Sequence, residues 1–131
     1  MRRLPRLLVV VPAGGVARVE SGPEVLVVPE LDLVKCHSVD EVAAARAEFV
    51  TLSPVAPSLS KPGYGPPLGV EGVRAAAAVA GGTPFFALGG VDAGNARSFL
   101  DAGAHGVAVM GAVLRADDPD RVVVELLEAI A

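Results

Sequence analysis

Short runs of apolar, often β-branched residues alternate along this chain with stretches whose apolar positions recur at helical spacing. The short runs are bounded by Gly, Pro or charged residues and are too brief for helices, which predicts buried strands. Six strands are predicted in this way, over residues 7–11, 25–28, 33–36, 49–52, 85–88 and 107–110.

Four helices are predicted from their start and stop signals. Ser38 and Glu41 match a capping box ahead of the Ala-rich stretch 42–48. Apolar residues at helical spacing over 70–80 end at a glycine pair, which predicts the second helix. The third is predicted from an N-cap at Asp92 to Ala102, and the fourth from an N-cap at Asp118 followed by proline.

Strands and helices alternate from residue 33 onward, which predicts a parallel sheet with crossover helices. The first two strands lack convincing helices. A complete eight-unit barrel needs roughly 200 residues, and this chain has 131. We therefore expect one domain over residues 1–131 with an α/β fold, an incomplete TIM-type (β/α) barrel with about six mainly parallel strands. Its unclosed sheet should have open edges, for which a homodimer is the simplest cover.

Composition excludes several classes of protein. The net charge is −4, and the only basic cluster is Arg2, Arg3 and Arg6, so no nucleic-acid partner is expected. The single cysteine, Cys36, allows no internal disulfide, and no Cys/His spacing predicts a metal site. The apolar run 7–11 is too short to cross a membrane. We expect a cytoplasmic protein without a membrane partner.

Glycines follow two consecutive predicted strands, at Gly89–Gly90 and at Gly111–Ala112. Glycine lets a backbone N–H approach a phosphate without an intervening Cβ. In (β/α) barrels the loops after the last two strands often hold a phosphate, so the two strand ends predict one anion pocket. The alternative is that these glycines only form tight turns.

Three polar side chains, Ser58, Ser60 and Lys61, lie in the long loop after the fourth strand. A lysine beside hydroxyl groups suits the anionic part of a phosphorylated small molecule, although a solvated loop lysine is the alternative. His37 ends the third strand, where it either faces the barrel mouth and acts on a ligand or simply begins the next helix.

Four segments in order resemble motifs of the thiamine-phosphate synthase and thiazole tautomerase superfamily. Residues 53–61, Ser-Pro-Val-Ala-Pro-Ser-Leu-Ser-Lys, resemble its Gly-Pro-(Val/Ile)-aromatic-Pro-Thr-x-Thr-Lys loop. Residues 87–91 with Asn95 resemble its Ile-Gly-Gly-Ile…Asn segment. Residues 101–110 resemble its Ala-Gly-Ala-x-Gly-Val-Ala-Val strand, and residues 36–41 resemble its Ser-x-His-(Ser/Thr)…Glu segment.

This resemblance implies a reaction that joins a thiazole phosphate to a pyrimidine pyrophosphate and releases pyrophosphate, with Mg²⁺ as the cofactor of the family. It implies phosphate or pyrophosphate contacts for Ser58, Ser60, Lys61, Gly89, Gly90, Gly111 and Ala112.

The chain also departs from the family pattern. Serines replace both threonines, Ala56 replaces the aromatic residue, and no counterpart of the family's Asn-Asp pair for Mg²⁺ is present. Glu30, Asp32 or a second chain would have to supply those ligands. We therefore expect a protein that binds a phosphorylated thiazole or thiamine phosphate, with a non-catalytic phosphate-ligand binding or regulatory protein as the alternative.

Overall fold

The computed structural model of the chain describes residues 4–57 and 66–131. Within those ranges six strands form one sheet in which every neighbouring pair is parallel, as predicted. The strands are β1 (Leu7–Val11), β2 (Val25–Pro29), β3 (Lys35–Cys36), β4 (Val50–Leu52), β5 (Phe85–Leu88) and β6 (Gly106–Val109). Five α-helices accompany them: α1 (Val39–Ala44), α2 (Gly69–Val79), α3 (Ala96–Asp101), α4 (Gly111–Leu114) and α5 (Pro119–Ala129).

The order of the strands is that of a barrel with one break. The sheet runs β2-β1-β6-β5-β4-β3, so strands consecutive in sequence are neighbours except β2 and β3, and the first strand pairs with the last. Residues 30–34 alone join β2 to β3. The six steps from Pro29 to Lys35 span at most roughly 20–22 Å even when extended, less than the roughly 24 Å across a flat sheet of six strands. The two edges must therefore curl towards each other, which confirms the incomplete (β/α) barrel.

The strand β1 is an interior strand of the sheet, between β2 and β6, and is buried on both faces. Leu7 and Val9 pack in the cluster between the sheet and the helices, whereas Leu8 and Val10 pack inside the barrel. All four are at most 3% exposed, which explains why this segment is a continuous apolar run. The half-buried side chains that complete the interior are Leu26, Val28, Leu33, Phe49, Leu88 and Met110.

The outer edge of β2 is covered by the chain itself. The N–H of Val27 donates to Ser21 Oγ at 2.9 Å, and Gly22 exchanges two backbone hydrogen bonds with Val25. Pro29, two residues further along the same edge, has no N–H to offer. The expectation of an open edge is therefore wrong for β2, because the backbone donors on that side are already used or missing.

The predicted capping residues are confirmed at the first and last helices. Ser38 Oγ accepts from the N–H of Glu41 at 3.1 Å, and Asp118 Oδ1 accepts from the N–H of Arg121 at 3.2 Å. However, α1 ends at Ala44 rather than at residue 48.

The predicted start of the third helix is wrong. Asp92 Oδ1 accepts from the N–H groups of Gly94 and Asn95, which forms a separate turn, and α3 begins only at Ala96. An aspartate can close such a turn as readily as it caps a helix, so the residue type did not distinguish the two. The predicted helix stop is correct, since Gly103 follows α3 with φ of +116°.

Candidate functional site

The carboxyl ends of four neighbouring parallel strands gather the predicted site residues that lie in the described ranges. His37 follows β3, Gly89–Gly90 follow β5 and Gly111–Ala112 follow β6. The strand β4 ends beside β5 and continues into Ser53. Parallel strands place these ends on one side of the barrel, which is where the sites of (β/α) barrels lie.

The glycines after β5 pack tightly against the loop after β4. The N–H groups of Val55 and Ala56 donate to the carbonyls of Leu88 and Gly89 at 3.0 and 2.9 Å. Gly89 and Gly90 have φ of +99° and +71°, and a Cβ on Gly90 would lie 2.6 Å from the carbonyl oxygen of Ala56. Both glycines therefore have a structural reason, independent of any role in binding a phosphate.

Asn95 holds the loop that follows these glycines. Its Nδ2 donates to the carbonyl of Gly90 at 2.9 Å, and its Oδ1 accepts from the N–H of Asp92 at 2.9 Å. One amide side chain thus bridges both ends of the turn. This explains why an asparagine follows the glycine pair in the motif seen in the sequence.

The helix α4, which the sequence did not predict, begins directly at the end of β6 with Gly111 and Ala112. The guanidinium group of Arg115 lies over Gly111, so that a Cβ there would come within 2.8 Å of Arg115 Cζ and Nη2. The two residues are four apart, on the same face of the helical turn. Glycine at this position leaves the room that the guanidinium occupies.

Arg18 fixes the other end of α4. From the connection between β1 and β2, its Nη1 donates to the carbonyls of Leu114 and Ala116 at 2.9 and 2.6 Å. These carbonyls at the end of the helical turn otherwise lack partners within the helix. Sequence reasoning missed this residue, because no local signal marks a contact between positions 96 residues apart.

The histidine singled out in the sequence lies at the edge of the site. His37 Nδ1 is 3.1 Å from the carbonyl oxygen of Ser53 and 3.4 Å from its Oγ, at the end of β4. Its backbone N–H donates to Glu41 Oε1 at 2.8 Å, which ties it to the start of α1. The backbone precedes a helix and the ring lies at the strand ends; an action of this ring on a ligand stays a prediction.

Cys36, the residue before it, is buried and belongs to the core between sheet and helices. Burial raises the pKa of its thiol, and the nearby carboxylate of Glu41 raises that pKa further. The thiol is therefore protonated at neutral pH, and the residue acts as a small apolar side chain.

The acidic residues considered as Mg²⁺ ligands are not gathered into a metal site in the part of the chain that the structure describes. Glu30, one of the two acidic candidates, places Oε2 2.7 Å from Nζ of Lys35, so its charge is already paired. Among residues 4–57 and 66–131, no three His, Cys, Asp or Glu side chains come together as a metal site.

A cavity of about 430 Å³ opens at the carboxyl ends of β1 and β2, on the same side of the barrel as the glycine loops. That volume is within the usual range for small-molecule sites. Its lining is mostly small and apolar, with Glu30 at its rim; it includes Pro12, Gly14, Gly15, Val27 and Leu31.

Ser58, Ser60 and Lys61 lie outside the described residues. The described residues on the two sides of this segment are hydrogen-bonded to each other. The N–H groups of Leu68 and Gly69 donate to the carbonyls of Pro54 and Val55 at 2.8 and 2.9 Å.

None of the helices in the described part of the chain has the length and apolar content needed to cross a bilayer.

Comparison with known proteins assigns the family. The sequence model of the thiamine monophosphate synthase family matches residues 34–113, more than half of the chain. A thiamine-phosphate synthase of Salinispora arenicola is 42% identical over 90 residues, which are 69% of this chain and 43% of that protein. One from Acidothermus cellulolyticus is 35% identical over 121 residues, 89% of this chain and 54% of that protein.

The fold agrees with a solved structure. Thiamine phosphate pyrophosphorylase from Pyrococcus furiosus superposes with a TM-score of 0.62 at 26% identity, covering 82% of this chain and 50% of that one. The chain thus spans about half the length of the relatives it matches. The matched segment contains β3 to β6 and the glycine loops described above. This chain therefore belongs to the thiamine monophosphate synthase family.

Proposed function

We propose that this chain is a thiamine-phosphate-synthase-like protein that binds a phosphorylated thiazole or thiamine phosphate at the ends of β5 and β6. The observation that carries the proposal is the position of the glycine loops. They follow two hydrogen-bonded parallel strands within the segment that matches the family. Adjacent loops of this kind present backbone N–H groups to a single anion.

In this proposal the phosphate is bound by backbone groups of Gly89, Gly90, Gly111 and Ala112. Lys61, with the hydroxyls of Ser58 and Ser60, supplies charge and further donors to a phosphate or pyrophosphate. Support comes from the flanks of that loop, which are hydrogen-bonded beside the Gly89–Gly90 turn. His37 contributes to the opposite edge of this proposed phosphate site, because its ring lies against Ser53 at the end of β4.

Binding and catalysis are separable for this chain. The family's reaction breaks a bond to pyrophosphate, and the charge that develops on that leaving group needs cations. Mg²⁺ is the family's source of such charge, and the carboxylates to hold it are not assembled in the described residues. The alternative remains a non-catalytic phosphate-ligand binding or regulatory protein.

The test is calorimetric titration of the pure chain with thiamine phosphate and with thiamine. We expect tighter binding of the phosphorylated compound. Lys61→Ala should weaken its binding by about 1–3 kcal/mol, the usual contribution of a hydrogen bond to a charged group. Arg46→Ala removes an exposed charge that precedes β4, at the other end of the barrel, and should leave the affinity unchanged.

A parallel assay separates the two candidate functions. Thiazole phosphate and pyrimidine pyrophosphate are incubated with the chain and Mg²⁺, and we expect no thiamine phosphate to form at an enzymatic rate. Steady Mg²⁺-dependent product would establish the synthase. Equal affinity for thiamine and thiamine phosphate would refute the phosphate site.

The homodimer remains part of the proposal, with a different surface from the one expected. Because the β2 edge is covered, the partner would contact apolar side chains beside the break in the barrel. Leu31 is 82% exposed and Val34 47% exposed in the connection from β2 to β3. A cytoplasmic location is also proposed and rests on family membership alone.

A further inference from the structure

Arg115 occupies a position that the proposed phosphate site does not yet explain. Its guanidinium group extends back along α4 and lies over Gly111, just after β6, although the residue as a whole is exposed. The end of β5, with Gly89 and Gly90, is the neighbouring strand end on the same side. The side chain therefore brings a permanent positive charge beside Gly111, one of the residues of the proposed phosphate site.

The charge is placed there by the local sequence. Residues four apart lie on the same face of a helical turn, and long side chains in helices point back towards the preceding turn. Gly111 is not in the left-handed region, so backbone strain does not require a glycine there. What glycine provides at 111 is the space for the guanidinium group, since a Cβ would come within 2.8 Å of two of its atoms.

We propose that Arg115 binds the ligand's phosphate and sets the preference of this chain for phosphorylated over unphosphorylated ligands. The inference rests on the proposed function for the location of the ligand. A guanidinium group presents several N–H donors in a planar fork that matches two phosphate oxygens. Its charge adds to what neutral backbone N–H groups offer, and an unphosphorylated ligand gains nothing from it.

The test compares Arg115→Ala, Arg115→Lys and the unaltered chain by titration with thiamine phosphate, thiamine and inorganic phosphate. Arg115→Ala should lower the affinity ratio of thiamine phosphate to thiamine by roughly 10- to 100-fold, as expected for loss of a charged hydrogen bond. Arg115→Lys should restore part of that ratio. Arg74→Ala is the charge-matched control, because Arg74 is exposed on α2 and paired with Glu71; its ratio should not change.

A second pair of variants tests whether Gly111 acts through Arg115. Gly111→Ala should displace the guanidinium group and lower the same ratio. In the Arg115→Ala background its effect should be clearly smaller than in the unaltered chain, because coupled residues give non-additive changes. Full additivity of the two substitutions would contradict the inference, and so would an unchanged ratio in folded Arg115→Ala protein.

Inorganic phosphate distinguishes failure of this inference from failure of the proposed function. If the unaltered chain does not prefer thiamine phosphate but binds inorganic phosphate in an Arg115-dependent way, the thiamine ligand is wrong and the role of Arg115 stands. If thiamine phosphate is preferred equally with and without Arg115, the proposed function stands and the inference is wrong. If the chain does not prefer thiamine phosphate to thiamine, and Arg115→Ala does not change the binding of inorganic phosphate, both the inference and the proposed function are wrong.

Discussion

At the scale of single residues, the glycine pair after β5 shows how one position can have two explanations. The sequence pattern predicted a phosphate loop or a tight turn, and the structure confirms close packing at both glycines. The sequence alone therefore predicted that position 90 needs a glycine. It did not predict the reason, because a Cβ there would collide with the carbonyl of Ala56, which lies in the loop after a different strand.

We expect Gly90→Ala to lower the free energy of unfolding by about 2–4 kcal/mol, since a Cβ would combine a left-handed backbone conformation with a collision. Gly82→Ala is the matched control. No atom lies within 4 Å of a Cβ built on Gly82, and its φ is not positive. Chemical denaturation of both variants measures the difference, and equal stabilities would contradict the packing role assigned to Gly90.

Arg18 and Arg115 show the opposite case, because no feature of the sequence indicated a role for either. Arg18 belongs to no motif in the sequence, and its acceptors lie in, and just after, a helix that was not predicted. Arg115 lies between the sixth predicted strand and the last predicted helix and also belongs to no motif. Arg18 acts by reaching a helix far away in the sequence, and Arg115 folds back over Gly111. Neither the spacing of residues nor the composition predicts such contacts.

At the scale of elements, local sequence signals predicted most limits of the strands and helices. They failed where the same residues can also form a turn. All six strands lie within two residues of their predicted limits, because an apolar run bounded by glycine or proline has few alternatives. The turn closed by Asp92 and the early end of α1 were missed, since the same residue types serve turns and helices. The four-residue helix α4 is too short to show a period.

The position of α4 provides the prediction at this scale. Arg18→Ala removes the donor to the carbonyls of Leu114 and Ala116. Because Arg18 is exposed, we expect a loss of only about 1 kcal/mol in stability, but faster amide hydrogen exchange in α4. Arg18→Lys keeps the charge and should restore part of the protection. Unchanged exchange in α4 with Arg18→Ala would show that the packing of α4 against α5 suffices.

At the scale of the whole molecule, the parallel sheet and the barrel class were predictable from the alternation of strands and helices. The place of the break was not. The structure pairs β1 with both β2 and β6 and interrupts the barrel between β2 and β3. Strand order depends on long-range pairing, which a single sequence does not encode locally.

The proposed homodimer is tested by light scattering coupled to gel filtration at micromolar concentration. We expect a mass twice the 13.2 kDa of the chain. Leu31→Glu should shift the protein to the monomer, because a charge would be buried without a partner at the interface. Val124→Glu alters another exposed apolar residue, on α5, and should leave the mass unchanged. A monomer for the unaltered chain would show that covering the β2 edge is sufficient.

The pairing of β1 with β6 also bears on how the chain folds during its synthesis. Leu7 pairs with Val107, so β1 receives its second neighbour only after about 100 further residues have been synthesised. At roughly 5–20 residues per second, that interval lasts several seconds. Until then β1, whose side chains from Leu7 to Val10 are almost fully buried in the finished barrel, has only β2 beside it. The nascent chain therefore exposes a strongly apolar strand until the segment that forms β6 has been synthesised.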